Sequence, residues 1–241
     1  MCYNNTISSF KYYIKEAFMT RTKLINRILP KYTKGEEIFN MVTHIVGGGI
    51  GVLTLIAGII ISCFKGSLVS LLSSIVFGVS MISLYTVSSI YHGLHNGTAK
   101  KVFQVLDHCT IYFLIAGTYT PMILCALARV NPLAAYIIFA IVWGLTALAV
   151  TLNAIDIKNY KVFSMLCYIG IGWSIIFSII DMYKALGSLG FSLLLGGGIV
   201  YTLGTVFYGV GKKVKYFHSI FHIFVLLGSI LHSLSVLFFA L

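Results

Sequence analysis

Long stretches without charged side chains dominate the pattern of hydrophobic and polar positions along the chain. No Asp, Glu, Lys or Arg occurs within residues 38–64, 66–99, 108–128, 130–155, 162–180, 185–211 or 216–241. Each stretch can supply the roughly 17–25 residues with which an α-helix crosses a hydrocarbon core of about 30 Å. Backbone polar groups in lipid must be satisfied within their own segment, so the pattern predicts helices. The alternating segments of about ten residues that form outer-membrane β-barrels do not occur.

The pattern therefore predicts an all-α integral membrane protein, built as a seven-helix bundle. The spans are predicted near residues 41–63, 68–91, 105–127, 132–151, 162–182, 189–209 and 217–240. Pro121 falls inside the third span, where its missing N–H predicts a kink. The predicted organisation is a basic N-terminal segment over residues 1–35, followed by a seven-helix membrane domain over residues 36–241.

Composition excludes a soluble protein of the usual kind. Hydrophobic residues make up 59% of the chain and charged residues only 10%, whereas a soluble domain averages about 25% charged residues. A water-facing surface cannot be assembled from so few charges. The location predicted is the cell membrane, with several crossings.

The distribution of basic residues predicts the orientation. Three of the 17 Lys and Arg residues fall in loops on one side of the membrane, namely Lys65, Arg129 and Lys184, and the other 14 fall on the opposite side. The positive-inside rule places the richer side in the cytoplasm, so the N-terminus is predicted inside and the C-terminus outside. The formal net charge of +11 then reflects topology and suits anionic lipid head groups. It does not predict a nucleic-acid partner.

The first 35 residues leave two interpretations open. Apolar residues recur there at helical spacing, which is typical of an amphipathic helix lying at the membrane interface. A solvated basic tail is the alternative. The apolar positions are Phe10, Ile14, Ala17 and Phe18, then Leu24, Ile25, Ile28 and Leu29, with Pro30 and Gly35 expected to end such a helix.

Candidate chemistry lies at the predicted ends of the spans, where ionisable residues are costly and tend to be functional. His92 ends the second span, with Ser88 one helical turn before it, and Asp107 opens the third span. His218 and His222 open the seventh span at a spacing of i, i+4. The predicted topology brings all five residues to one layer near the inner leaflet.

The three histidines predict a metal site. Two imidazoles one helical turn apart can bind one metal ion. A third histidine leaves one tetrahedral position for water, as in catalytic zinc sites, where the pKa of that water falls to about 7. Asp107 is then the candidate general base and Ser88 a residue that orients the water. Interfacial polar histidines remain the alternative, and haem ligation is disfavoured because a carboxylate and a serine suit a bound water better.

Several of these motifs resemble those of the hemolysin III family, the bacterial arm of the progestin and adipoQ receptor family. The matching stretches are EEIFNMVTH at 36–44, SSIYH at 88–92, LDHCTIYFLIAGTYTP at 106–121 and HSIFH at 218–222. The resemblance implies a seven-helix bundle with the N-terminus inside and zinc near the cytoplasmic face. It implies that His92, His218 and His222 are the zinc ligands, with Asp107 and Ser88 around the water, and that Glu37, Asn40 and His44 have a supporting role.

Three functions remain open at this point. The first is a zinc-dependent hydrolase that acts on lipid amide or ester bonds near the inner leaflet, since the resemblance extends to ceramidase-like enzymes. The second is a non-enzymatic sensor or regulator of membrane homeostasis with structural zinc. The third is a hemolysin, which the apolar composition disfavours. In each of the first two, a membrane lipid is the expected substrate or ligand.

Overall fold

The computed structural model describes residues 22–211 and 214–241, apart from the side chain of residue 161. This part of the chain is helical and contains no β-strand. Its α-helices are α1 (Lys34–Lys65), α2 (Leu68–Gly93), α3 (Thr98–Pro121), α4 (Pro132–Asp156), α5 (Lys161–Gly172), α6 (Ile179–Val210) and α7 (Phe217–Ser235).

Local sequence signals set several of the helix ends. Thr33 and Glu36 form a capping box at the start of α1, with the Glu36 Oε2 accepting from the Thr33 N–H at 2.8 Å. Gly66 ends α1 with φ of 62°, a left-handed conformation that glycine adopts without steric cost. Asn131 caps α4 by accepting from the Ala134 N–H at 3.1 Å.

At Pro121, where a kink is predicted, the helix changes its type. The α-geometry of α3 ends at Pro121 and is followed by a π-helical turn, Met122–Ala126, and a 3-10 turn, Leu127–Arg129. Proline cannot donate to the carbonyl one turn earlier, so the helix widens at this point.

Six helical stretches of the described chain are long and apolar enough to cross a membrane. They are Lys34–Lys65, Leu68–Gly93, Thr98–Arg129, Pro132–Asp156, Val162–Val210 and Phe217–Ala240. The prediction of an all-α, multi-pass membrane protein is therefore confirmed. The count differs from the predicted seven because the 49-residue stretch Val162–Val210 contains both the fifth and the sixth predicted spans.

That 49-residue stretch is not one continuous α-helix. A 3-10 segment, Ser174–Ser178, separates α5 from α6, and Gly187 inside α6 has φ of 67° and ψ of 178°, outside the helical region. Beyond Gly187, α6 runs antiparallel to α7. Gly190 lies beside Phe239 near the end of the chain, and Gly211, just after α6, lies beside His218.

The contacts define two ends of the bundle. The histidine end carries His92 and the start of α7. At the opposite end, Arg129 donates to the carbonyl oxygen of Ala240 at 2.7 Å, and the Asn131 Nδ2 donates to the Asp181 Oδ2 at 2.8 Å.

Residues 22–33, here called the N-terminal strap, lie across the histidine end. The Thr22 N–H donates to the Asp156 Oδ2 at 2.6 Å, and the Lys101 Nζ donates to the Ile25 carbonyl. The strap contains a single 3-10 turn, Leu24–Asn26, so the predicted interfacial helix is wrong over Leu24–Leu29. The Thr22 N–H and the Ile25 carbonyl bond to other elements, and within the strap the N–H groups of Asn26 and Arg27 donate to the carbonyls of Lys23 and Leu24 at 2.9 and 3.2 Å. The other predicted positions of that helix, Phe10, Ile14, Ala17 and Phe18, lie outside the described residues.

Candidate metal centre

Three histidines from two helices converge at the histidine end. His92 lies in the last turn of α2, and His218 and His222 lie in the first turns of α7. One ring nitrogen of each lies within 4.8 Å of the other two. All three residues are buried, with exposures of 3%, 8% and 2% for His92, His218 and His222. The sequence-predicted ligand set is thus brought together.

Two ring nitrogens of this cluster are spaced much as two ligands of one zinc ion would be. The Nε2 atoms of His218 and His222 are 3.1 Å apart, and tetrahedral zinc with Zn–N bonds of about 2.0–2.1 Å places its nitrogen ligands about 3.3 Å apart. The Nε2 of His92 is buried without a hydrogen-bond partner among the described residues. Such a buried lone pair is costly unless something binds it. The donor set therefore fits a zinc ion.

Glu37 on α1 holds His92 in the tautomer that metal binding needs. The His92 Nδ1 lies 2.6 Å from the Glu37 Oε2. A carboxylate only accepts, so the proton of this bond is on Nδ1 and the Nε2 lone pair is free for a metal. The second oxygen of Glu37 accepts from the Lys100 Nζ at 2.7 Å, and Lys100 also donates to the Leu94 carbonyl at 3.0 Å.

Lys100 is a supporting residue that sequence reasoning missed. It was predicted only as a cytoplasmic loop charge, yet it lies in the first turn of α3 with 2% exposure. No local sequence pattern predicts this contact, because its partner Glu37 lies 63 positions away in the chain. Glu37 itself could be found from the motif, but its particular contact could not.

The other residues of the first motif also pack around the cluster. The ring of His44 stacks on that of His222 with centroids 3.8 Å apart and meets Tyr85 edge-on at 5.0 Å. The Asn40 Nδ2 lies 3.5 Å from the His92 Nδ1. Both residues lie on the same face of α1 as Glu37, so α1 forms one wall of the centre.

The beginning of α7 is fixed to α1 by Glu36. Its Oε1 accepts from the backbone N–H of Tyr216, the residue before α7, at 2.7 Å. Tyr216 has φ of 63° and starts the helix from a left-handed conformation. The same carboxylate closes the capping box with Thr33, so one side chain sets both helix starts next to the histidines.

Tyr32 of the N-terminal strap covers the centre. Its ring stacks on that of His218 with centroids 4.8 Å apart and an interplanar angle of 18°. Burial, followed by the neighbouring Tyr208 and Asp107, raises the pKa of the Tyr32 hydroxyl well above its ordinary value. The hydroxyl therefore stays protonated at neutral pH. Sequence reasoning did not single out Tyr32.

Asp107 and Ser88 line the same cavity as His218 and His222. Ser88 is buried, with 2% exposure, and Asp107 is partly exposed. Asp107 is not among the described residues whose ligand atoms lie within 4.8 Å of one another. His108 is directed elsewhere, with its Nε2 3.2 Å from the Tyr208 hydroxyl.

The cavity has a volume of about 450 Å³ and changes character along its length. Polar groups of the metal centre line it at the histidine end. Away from the histidines its walls are mostly apolar, with Ile111, Ile115, Ile175, Phe191, Leu194 and Leu195, although Thr118, Tyr201, Thr202 and His232 also line it. Mostly apolar walls with a few converging polar groups are typical of a small-molecule site.

Fold and site together define a multi-pass helical membrane protein with a buried three-histidine cluster that opens into a largely apolar cavity. The haemolysin-III related family matches residues 32–233, and the chain belongs to this family. It is 40% identical to Hemolysin-3 of Bacillus cereus over 206 residues, 86% of this chain and 92% of that one. It is 36% identical to the Hemolysin-3 homolog of Bacillus subtilis (strain 168) over 208 residues, 86% and 96% of the two chains.

A more distant relative is the human monocyte to macrophage differentiation factor. It is 28% identical over 162 residues, 65% of this chain and 66% of that one. The resemblance predicted from the motifs, including the link to the progestin and adipoQ receptor family, is therefore confirmed.

Proposed function

We propose that this protein is a zinc-dependent hydrolase of lipid amide or ester bonds, with its centre near the inner leaflet. The observation that carries the proposal is a cluster of three buried histidines beside a largely apolar cavity. His218 and His222, with their Nε2 atoms 3.1 Å apart, line the cavity, and the buried Nε2 of His92 has no partner among the described residues. A purely structural site would need no cavity of this size beside it.

The proposed topology has seven crossings, with the N-terminus inside and the C-terminus outside. At about 1.5 Å per residue, 49 helical residues would extend about 73 Å, more than twice a hydrocarbon core of about 30 Å. The stretch Val162–Val210 thus has the length for two crossings. Its reversal is assigned to Gly187, because Asp181 contacts the opposite end and Gly211 lies beside His218 at the histidine end.

The residues around the cluster have separate roles in this proposal. Zinc, when bound, would supply Lewis acidity toward the lipid carbonyl and lower the pKa of a water molecule. The Asp107 carboxylate accepts the proton of the attacking water, and the Ser88 hydroxyl orients that water. Glu37 keeps the His92 proton on Nδ1. The apolar walls bind the hydrocarbon chain and keep bulk water away from the reacting bond.

The test is the variant Asp107→Asn, compared with the parent and with His92→Ala. An amide matches the carboxylate in size but cannot act as a base. Zinc content and melting temperature should therefore stay near those of the parent, while lipid hydrolysis falls by about 100-fold or more. His92→Ala should lose zinc and stability as well. A parent-like lipid profile for Asp107→Asn, with His92→Ala defective in zinc and stability, would contradict the hydrolase.

A non-enzymatic sensor of membrane state with structural zinc is the second candidate. The observation that favours it is the linkage of several helices at the centre. A metal would join the end of α2 to the start of α7, and Glu37 and Lys100 add α1 and α3. In that case Asp107→Asn would leave any lipid or fluidity phenotype unchanged. The name of the Bacillus relatives suggests a hemolysin, which erythrocyte lysis by the purified protein would test.

A further inference from the structure

Arg27 of the N-terminal strap lies in the wall of the cavity, and no carboxylate of the described residues compensates its charge. Its Nη2 donates to the Ile155 carbonyl at 3.3 Å. Its Nε and Nη1 are buried and have no hydrogen-bond partner among the described residues. A buried donor on a charged group is expensive to leave unpaired, and the guanidinium is a permanent cation. We therefore expect a hydrogen-bond acceptor, preferably an anion, to bind these two donors.

The carboxylates of the described chain do not supply that acceptor. No ion pair within 4.0 Å joins Arg27 to any of them. Asp156 follows Ile155 directly, but its oxygens accept from the backbone N–H groups of Thr22, Lys158 and Asn159 at 2.6, 2.9 and 3.3 Å. Asp107 lines the same cavity but lies outside ion-pair distance.

A second basic residue lies in the wall of the same cavity as Arg27. Lys158, an exposed residue of the loop after α4, lines the same cavity. Neutral polar residues, Asn26 and Gln104, and apolar strap residues, Ile28 and Pro30, complete this part of the wall. Both basic residues lie at the histidine end of the bundle. This is the side on which 14 of the 17 basic residues are predicted, and it faces the leaflet in which anionic lipid head groups are concentrated.

We propose that Arg27 and Lys158 bind the phosphate head group of a lipid whose hydrocarbon chain lies in the apolar part of the cavity. A phosphate monoester carries up to two negative charges and several acceptor oxygens, which match two cations better than a carboxylate does. This proposal deepens the proposed function by naming the class of lipid head group. It rests on the proposed function only for the position of the hydrocarbon chain of the lipid. Binding itself requires no turnover.

The experiment uses the full-length protein in a neutral detergent and measures affinity for three probes. They are 1-oleoyl lysophosphatidic acid, monooleoylglycerol with the same chain but no phosphate, and inorganic phosphate. Arg27→Gln should weaken binding of the phosphate lipid by about ten-fold or more, and Lys158→Gln should act in the same direction. Monooleoylglycerol should bind all variants alike. Lys31→Gln, which removes an exposed charge from the same strap, is the matched control and should match the parent.

Three results would overturn the proposal. Arg27→Gln could bind the phosphate lipid like the parent, or it could lose both lipids equally, which would indicate a structural role. Inorganic phosphate could also bind as tightly as the phosphate lipid, which would indicate a free-anion site.

If Arg27→Gln does not fold, the proposal is tested by comparing Arg27→Lys with the parent protein. Charge retention should preserve most binding, and salt should weaken only the phosphate lipid. Zinc content and hydrolysis are not readouts, so failure of the hydrolase would leave this result interpretable.

Discussion

Glu37→Gln is the perturbation that most directly tests how the centre is built. The parent carboxylate accepts from the His92 Nδ1 at 2.6 Å and from Lys100 at 2.7 Å. A glutamine of similar size keeps one acceptor but removes the charge. The single remaining oxygen can accept from His92 or from Lys100 but not from both in the parent geometry, and an amide oxygen is a weaker partner for the His92 Nδ1–H than a carboxylate. Lys100 loses its counter-ion in either case. We expect both zinc affinity and stability to fall.

The two effects have different magnitudes and can be separated. Loss of a residue that orients a metal ligand costs about 10–100-fold in affinity, or about 1.4–2.7 kcal/mol. Breaking a buried ion pair costs about 3–5 kcal/mol, and the 19% side-chain exposure of Glu37 places the expected cost toward the lower end. The double variant Glu37→Gln, Lys100→Met removes the unpaired cation. It should recover stability but not zinc affinity.

Chelator competition measures zinc affinity, and melting with and without added zinc measures its linkage to stability. Because binding stabilises by RT ln(1 + [L]/Kd), the zinc-dependent gain should shrink by the same 1.4–2.7 kcal/mol, to within about a factor of two. Asp181→Asn removes a carboxylate at the opposite end of the bundle and should leave zinc affinity unchanged. If Glu37→Gln binds zinc as tightly as the parent while His92→Ala does not, Glu37 does not orient the ligand.

Three further predictions concern metal content, topology and packing. The purified protein should contain about one zinc per chain, and the double alanine variant of the two α7 histidines should contain almost none; full retention would place the metal elsewhere. Reporters fused after Leu241, or inserted at Lys184, should be active outside the cytoplasm, and cytoplasmic activity at either point would refute the seven-crossing topology. Gly47→Ala should destabilise by about 1–3 kcal/mol, because its new Cβ would fall on the Tyr85 ring, whereas Gly49→Ala meets nothing within 4 Å and should be neutral. Equal melting temperatures for the two variants would contradict this contact.

The sequence by itself determined the class of the protein and predicted the three histidines that the structure brings together. Apolar runs and helical spacing are properties of neighbouring positions, so they can be read along the chain. They predicted transmembrane helices, the disturbance at Pro121, and the placing of His218 and His222 on one helical face. His92 was predicted to lie near them because the end of the second span and the start of the seventh lie on the same side of the membrane.

Only the tertiary structure decided which distant residues surround these three histidines. Lys100 and Arg27 look alike in sequence, as basic residues on the cytoplasmic side. Packing gives Lys100 a carboxylate partner, whereas two donors of Arg27, in the cavity wall, have no partner in the part of the chain that the structure describes. The strap forms a 3-10 turn at Leu24–Asn26 in place of the interfacial helix, one of the two interpretations that the sequence left open, and its backbone contacts Asp156 and Lys101. Such outcomes depend on pairs of residues far apart in the chain, which hydrophobic periodicity does not encode.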